Sequence, residues 1–267
     1  MRCIRVANKT IDRGVDIVVI LILLIGLYFL ADIVWVYMHS RADVTMPYKP
    51  TDGNMSVLKD LSEDCVGWIT LDNTSIDYPI MQGEDNLEYL NKDSFGDYSL
   101  SGSIFLDSRN SSDFSDEYSI VYGHHMSGGY MFGALDDFEE SRYFEEHETG
   151  TLYTERGNFP VQVICFLYTD ASNALVFEPE TDVAGLRLFM KEKAEQFRAA
   201  DDGRIVALTT CKSPTSTRRA CLFLHVVEDK LDEKTAEKLR KDREELGLPQ
   251  DKAIGTDGDI EQGDADK

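Results

Sequence analysis

The stretch from Ile17 to Met38, IVVILILLIGLYFLADIVWVYM, runs for 22 residues with one charge, Asp32. About 20 apolar residues in a helix cross the hydrocarbon layer of a bilayer. The apolar part of a cleaved signal peptide is shorter, about 7–15 residues, and small residues follow it. Here Trp35, Tyr37 and Met38 come at the end instead, and such aromatics suit the membrane–water interface. The run therefore reads as an uncleaved anchor. Arg2, Arg5, Lys9 and Arg13 precede it, whereas Arg41 and Lys49 alone follow closely. The positive-inside bias puts residues 1–16 in the cytoplasm and everything after the span outside, which describes a single-pass cell-membrane protein.

The exported part is acidic. The 267-residue chain has 49 acidic and 27 basic residues, for a formal net charge of −22. Such a chain repels phosphate backbones and anionic lipid, so nucleic acid is excluded as a partner and membrane attachment must be apolar. Four cysteines fall outside the membrane, Cys65, Cys165, Cys211 and Cys221, with no CxxC spacing among them. A zinc ribbon or a thioredoxin-like site is unsupported, and the four read as mostly unpaired.

Residues 39–55, with Pro47, Pro50 and Gly53, read as a linker. MSVLKDLSEDCVGW reads as a short amphipathic helix leading into a domain that ends near Glu228. Within it, short β-prone runs follow one another: two in GWITLDNTSIDYPIMQ, then GSIFLD, EYSIVYGHHM, GTLYTE and FPVQVICFLYT. Polar and glycine-bearing turns separate them, a rhythm that suits a sandwich or barrel. Two helical patterns interrupt it. One places Met131, Leu135, Phe138 and Tyr143 near one stripe; the other, Val183–Ala200, places Leu186, Met190, Ala194 and Phe197 at helical spacing. Residues 229–267 are rich in charge and end in a segment with little apolar content, so they read as an extension that is largely disordered.

The chemistry concentrates in RIVALTTCKSPTSTRRACLFLHVVE, Arg204 to Glu228. Strand parity puts Val206, Leu208 and Thr210 on one face and Ile205, Ala207, Thr209 and Cys211 on the other. The cysteine stands at the strand's end, before a polar loop. A nucleophilic thiol needs a base or a cation beside it. His39 lies at the membrane, His147 in a charged helix and His225 inside a strand, which leaves His124 and His125 in SIVYGHHMSGG.

These residues carry a resemblance. ALTTC resembles the TLxTC signature of sortases, the membrane-anchored cysteine transpeptidases of Gram-positive bacteria. YGHHM is similar to their histidine motif, and an arginine on the strand after the cysteine completes their catalytic set. YPIMQGEDNLEYL, SGSIFLDSRN, VYGHHMSGGYMF and the helix before the cysteine strand resemble class B. One departure is Ala207, where the signature has its first threonine. The resemblance implies an eight-stranded β-barrel with an N-terminal helix and a helix inserted before the cysteine strand, spanning residues 56–228. It also implies Cys211 as nucleophile and, as the histidine directly after glycine, His124 as the proton carrier.

The family's arginine faces the groove. Parity favours Arg219 unless a bulge shifts the register: Ala220, Leu222, Leu224 and Val226 then point inward and His225 outward. Choosing Arg218 would drive Arg219 and His225 into the core, at several kcal/mol for an unpaired charge. Asn86, Leu90, Tyr122, Thr169 and Thr209 are implied groove residues. No metal and no cofactor is expected. The implied activity is cleavage of a C-terminal sorting signal, NPxTN-like or related, after threonine through a thioester acyl-enzyme. The partners would be secreted proteins bearing that signal and the amine of a lipid II-type peptidoglycan precursor. A secreted cysteine hydrolase and a surface scaffold without catalysis are the alternatives.

Overall fold

The computed structural model describes residues 2–39, 44–51, 54, 56–211 and 218–227, with the backbone alone for 2–12, 35–39 and 211. The first helix, α1, is Arg2–His39. Within it, Arg13–Val34 forms a span of 22 residues with mean hydropathy 3.0, long and apolar enough to cross a membrane. Past the span, Met46–Tyr48 makes a short 3-10 turn. Lys49 Nζ then meets Asp77 Oδ2 at 2.7 Å. The extension after 228 lies outside the described residues.

Nine strands follow among the described residues: β1 Cys65–Leu71, β2 Asp77–Met81, β3 Ile104–Leu106, β4 Tyr118–Gly123, β5 Thr149–Thr154, β6 Gly157–Asp170, β7 Gln196–Phe197, β8 Ile205–Cys211 and β9 Arg218–Val226. Their order is β5-β1-β2-β3-β4-β8-β9-β6-β7, and β5 also pairs with β6. That last pairing closes eight strands into a barrel and leaves the two-residue β7 on its outer side. Closure removes the open edges that would otherwise invite pairing with other chains. β2–β3 and β4–β8 are parallel.

Alternation explains the packing. Val206 and Leu208 of β8, with Ala220, Leu222, Leu224 and Val226 of β9, enter the barrel interior. Ile205, Ala207, Cys221 and Phe223 face the other way, under α4 (Ala174–Phe177) and α5 (Val183–Lys193). Strands buried on both faces read as continuous apolar runs, as LFLHVV does. The helix α2 (Val57–Leu61) covers a third cluster, with Leu58 and Leu61 beside Trp68, Tyr89 and Phe105.

Two helical expectations need correcting. The stripe expected as one helix is a 3-10 helix, Phe132–Glu139, followed by α3, Ser141–Glu146. Glu140 between them is extended. The buried residues explain it: Phe132, Leu135 and Phe138 recur every third position, the period of a 3-10 helix and not of an α-helix. Gly133 also lies so close to the carbonyl oxygen of Met126 that no side chain fits there. The other helix stops at Lys193, well before Ala200. Ala194 turns extended, and Gln196–Phe197 pair with Phe166 and Cys165 as β7. Arg198 then donates from Nη1 to the carbonyl of Val163 at 2.6 Å, which holds the chain against β6.

Candidate active site

β4 and β8 run side by side in parallel, with Tyr122 opposite Thr209 and Gly123 opposite Thr210. His124 is the next residue, so the chain leaves β4 level with Cys211. On the far side of β8, β9 runs antiparallel and sets Arg219 opposite Cys211. Neighbouring strands lie about 4.8 Å apart. His124, Cys211 and Arg219 therefore occupy three consecutive places across the sheet, with the cysteine in the middle. Gly123 is required for this: a Cβ there would collide with Ile104 and Phe132.

A groove of about 560 Å³ opens over these strand ends. Its floor includes Phe105, Tyr122 and Thr209, which share one register row across β3, β4 and β8. Asn86 and Leu90 line it from one loop, Ala171 and Phe177 from another, and His124, His125, Thr210 and Arg219 from the strand ends. No carboxylate is among these lining residues. Of the positions expected from sequence, Asn86, Leu90, Tyr122, His124, Thr209 and Arg219 thus come together. Thr169 sits behind them, opposite Arg219 on β6. Its hydroxyl accepts a hydrogen bond from Asn173 Nδ2 at 2.9 Å and so braces the turn that carries Ala171.

The two neighbouring histidines differ in their surroundings. His125 Nε2 lies 2.9 Å from Asp136 Oδ2, which commits that ring to a carboxylate. His124 is half-buried, and its ring makes no hydrogen bond among the described residues. Burial holds its pKa below the usual histidine value, because a low-dielectric site disfavours the imidazolium. Its ring is therefore neutral at neutral pH and free to take a proton. The two arginines also separate. Arg218 is exposed, its guanidinium 5.0 Å above the Tyr168 ring, whereas Arg219 lines the groove.

The three described thiols are of another kind. Cys65, Cys165 and Cys221 are buried and free. Burial pushes Cys65 and Cys221 up to about 12 and raises Cys165 as well. Such thiols are inert packing groups.

Two features of the site were missed from sequence. One is Asp107, fully buried beneath the groove, whose Oδ2 accepts from both Asn86 Nδ2 and Tyr122 Oη at 2.9 Å. It stands in SGSIFLDSRN, directly after β3, and its partners lie too far along the chain for a local signal to mark it. The other is Thr210, whose buried hydroxyl has no hydrogen-bond partner among the described residues.

No family model matches the chain. It is 30% identical to sortase B of Staphylococcus aureus over 179 residues, which cover 64% of this chain and 73% of that protein. The chain belongs to the class B sortases. A class B sortase of Streptococcus pyogenes involved in pilus biogenesis is 36% identical, with a TM-score of 0.60 over 66% of this chain and 98% of that one. The Staphylococcus aureus sortase B–substrate complex is 27% identical, with a TM-score of 0.60 over 70% of this chain and 91% of that one. This class B sortase is accordingly a cysteine transpeptidase, built on the closed barrel of its family.

Proposed function

We propose that this class B sortase uses Cys211, His124 and Arg219 to cut a C-terminal sorting signal after threonine and to join the protein to a cell-wall precursor amine. The observation that carries this reading is the register of β4, β8 and β9, which makes positions 124, 211 and 219 neighbours across the sheet, beside a groove lined by His124 and Arg219. Directly opposed residues on adjacent strands share a sheet face, so Cys211 and Arg219 belong to one side of the barrel.

In the first half-reaction the Cys211 sulfur attacks the threonine carbonyl carbon, and its proton passes to the neutral His124 ring. The carbonyl π pair moves onto oxygen, and the Arg219 guanidinium stabilises that oxyanion. A preorganised donor of this kind is worth a factor of about 10²–10³ in rate. Collapse breaks the C–N bond, and the imidazolium protonates the departing amine; its depressed pKa makes it a ready donor. The product is a thioester. In the second half the precursor amine attacks the thioester carbon, His124 accepts the amine proton, and the C–S bond breaks to free Cys211. Water in place of the amine would give hydrolysis.

The groove supports a neutral polar signal. It offers an amide, hydroxyls, aromatic surface and one guanidinium, with no carboxylate, which suits an NPxTN-like peptide. A lipid II-type amine is the proposed acceptor, and α1 the proposed anchor, with the barrel outside the cell.

The test uses the full chain in detergent micelles with quenched peptides carrying NPxTN-like or LPxTG-like signals. Cleavage abolished by Cys211→Ala, diverted to hydroxamate by hydroxylamine, and accompanied by an acyl-enzyme mass on Cys211 is the expected result. Cleavage indifferent to hydroxylamine would make the chain a hydrolase. No thioester with any sorting peptide would make it a scaffold.

A further inference from the structure

Asp107 closes β3 with no solvent exposure, yet its carboxylate receives bonds from three separate stretches of chain. Oδ2 accepts from Asn86 Nδ2 and Tyr122 Oη, both at 2.9 Å. Arg109 grips the same carboxylate, with Nε 2.9 Å from Oδ1 and Nη2 3.0 Å from Oδ2. The backbone N–H of Arg109 adds a bond to Oδ1 at 3.0 Å. The other side of the guanidinium reaches α4: Nη1 lies 2.6 Å from Glu178 Oε2, and Nη2 donates to the Phe177 carbonyl at 3.0 Å. Burial alone would push the Asp107 carboxyl up, but the bonds from Arg109, Tyr122 and Asn86 outweigh it and hold the pKa below the usual range.

An ionised carboxylate can accept and cannot donate. That fact sets the direction of every bond around it. The Tyr122 hydroxyl must point its proton at Asp107, so the lone pairs alone remain for the groove. Asn86 is fixed from both ends, since Nδ2 donates to the carboxylate and Oδ1 accepts from the Ser108 N–H at 2.8 Å. Of its two amide hydrogens one is used, and the other is left for a ligand. Asn86, Tyr122 and Phe177 all line the groove, whereas Asp107 and Arg109 lie behind it.

We propose that Asp107, clamped by Arg109, is a positioning residue for the sorting signal: it presents Asn86 as a donor and Tyr122 as an acceptor, and ties the Phe177 wall to both. An ion pair with one partner buried and the other half exposed adds little net stability, so the device acts through orientation. The peptide backbone, with carbonyls to meet Asn86 and N–H groups to meet Tyr122, is the ligand chemistry it fits. The inference rests on the groove being the sorting-signal site.

Asp107→Asn and Arg109→Gln in the full chain test it by three readouts. The first is the split between KM and kcat for an NPxTN-like peptide. The second is binding of that peptide in a Cys211→Ala background. The third is amide hydrogen exchange across 171–178. Asp107→Asn supplies a carboxamide that can donate to Tyr122, which scrambles the pattern. It is expected to raise KM and weaken binding about tenfold, the scale of one misdirected hydrogen bond, with kcat within about threefold.

Arg109→Gln is expected to speed exchange in 171–178 and raise KM several-fold, and Arg109→Lys to restore part of both. Should Asp107→Asn fail to fold, Arg109→Gln decides, because that side chain is half exposed. A folded Arg109→Gln chain with unchanged exchange and unchanged KM overturns the proposal, as does a loss confined to kcat. If the parent chain binds no sorting peptide, the functional reading fails by itself, while exchange still reports whether the clamp holds the wall.

Discussion

Arg218 and Arg219 are adjacent and equal in charge, yet strand parity gives them different surroundings, and removing each in turn isolates the effect of position. Arg219 pairs with Cys211 across β8 and β9 and lines the groove. Arg218 pairs with Asp170 on β6 and lies over the Tyr168 ring at 5.0 Å. Loss of an oxyanion donor costs about 2.7–4 kcal/mol, so Arg219→Ala should lower kcat/KM by roughly 10²–10³. Arg219→Lys keeps the charge and loses the planar fork, and should recover part of the rate. Arg218→Ala removes an exposed cation–π contact worth about 0.5–1 kcal/mol. Its effect should fall on the melting temperature, with kcat/KM held within about threefold. The assay is cleavage of a quenched sorting peptide by the three variants, each checked for folding by thermal melting. Equal losses at 218 and 219, or an Arg219→Ala chain within threefold of the parent, would refute the argument from register.

Four other outcomes follow from the same geometry. His124→Ala should abolish cleavage, while His125→Ala should leave most of it and lower the melting temperature instead, because His125 is held by Asp136; equal losses in activity would undo the distinction. Because burial lowers the His124 pKa below 6.5, the unfolded chain binds a proton before the folded one does. Stability should therefore fall as pH drops below about 6.5, and His124→Gln should flatten that part of the curve; a curve unaltered by the substitution contradicts the shift. Iodoacetamide at pH 8 should modify Cys211 in the native chain and spare Cys65, Cys165 and Cys221 until denaturant is added, as site-resolved mass spectrometry would show; early labelling of the three would contradict their burial. Thr210→Val removes a buried hydroxyl with no partner among the described residues and should leave stability unchanged or raise it by up to about 1 kcal/mol, whereas a loss above that would reveal a bond to the hydroxyl.

Much of the barrel was legible because its strands advertise themselves. The runs that became β1 to β6, β8 and β9 each combine β-branched or aromatic residues with a turn signal on either side, and the eight strands they form are the closed set. Parity in β9 was decisive, since the alternation Ala220, Leu222, Leu224, Val226 left Arg219 no place but the outer face. The helices were read less well, for a physical reason. A stripe at 132, 135 and 138 satisfies a loose helical template, and the difference between periods 3.0 and 3.6 emerges over such a short run from packing at Gly133. Phe197 belongs to the apolar pattern of α5 by spacing alone, whereas Arg198 and the backbone of β6 pull it into a strand. Asp107 was invisible for a third reason. Its role depends on partners 21 residues before it and 15 after it, and no local pattern announces such a meeting.

The burial of Asp107 also bears on how a chain of charge −22 would sustain the proposed reaction, which builds an oxyanion. Two unit negative charges about 6 Å apart repel by roughly 3 kcal/mol at an effective dielectric constant of 20, a factor of about 100 in rate. Carboxylates in the groove would therefore cancel the stabilisation proposed for Arg219. The groove-lining residues include none. The acid nearest the floor is turned beneath it and neutralised by a guanidinium at 2.9 Å. Asp136 is turned to His125, with Oδ2 2.9 Å from Nε2. Among the described residues, carboxylates are thus kept off the groove lining proposed to meet the substrate carbonyl. Arg109 serves this arrangement twice, since the contact that screens Asp107 is the same one that fixes where Asn86, Tyr122 and Phe177 stand.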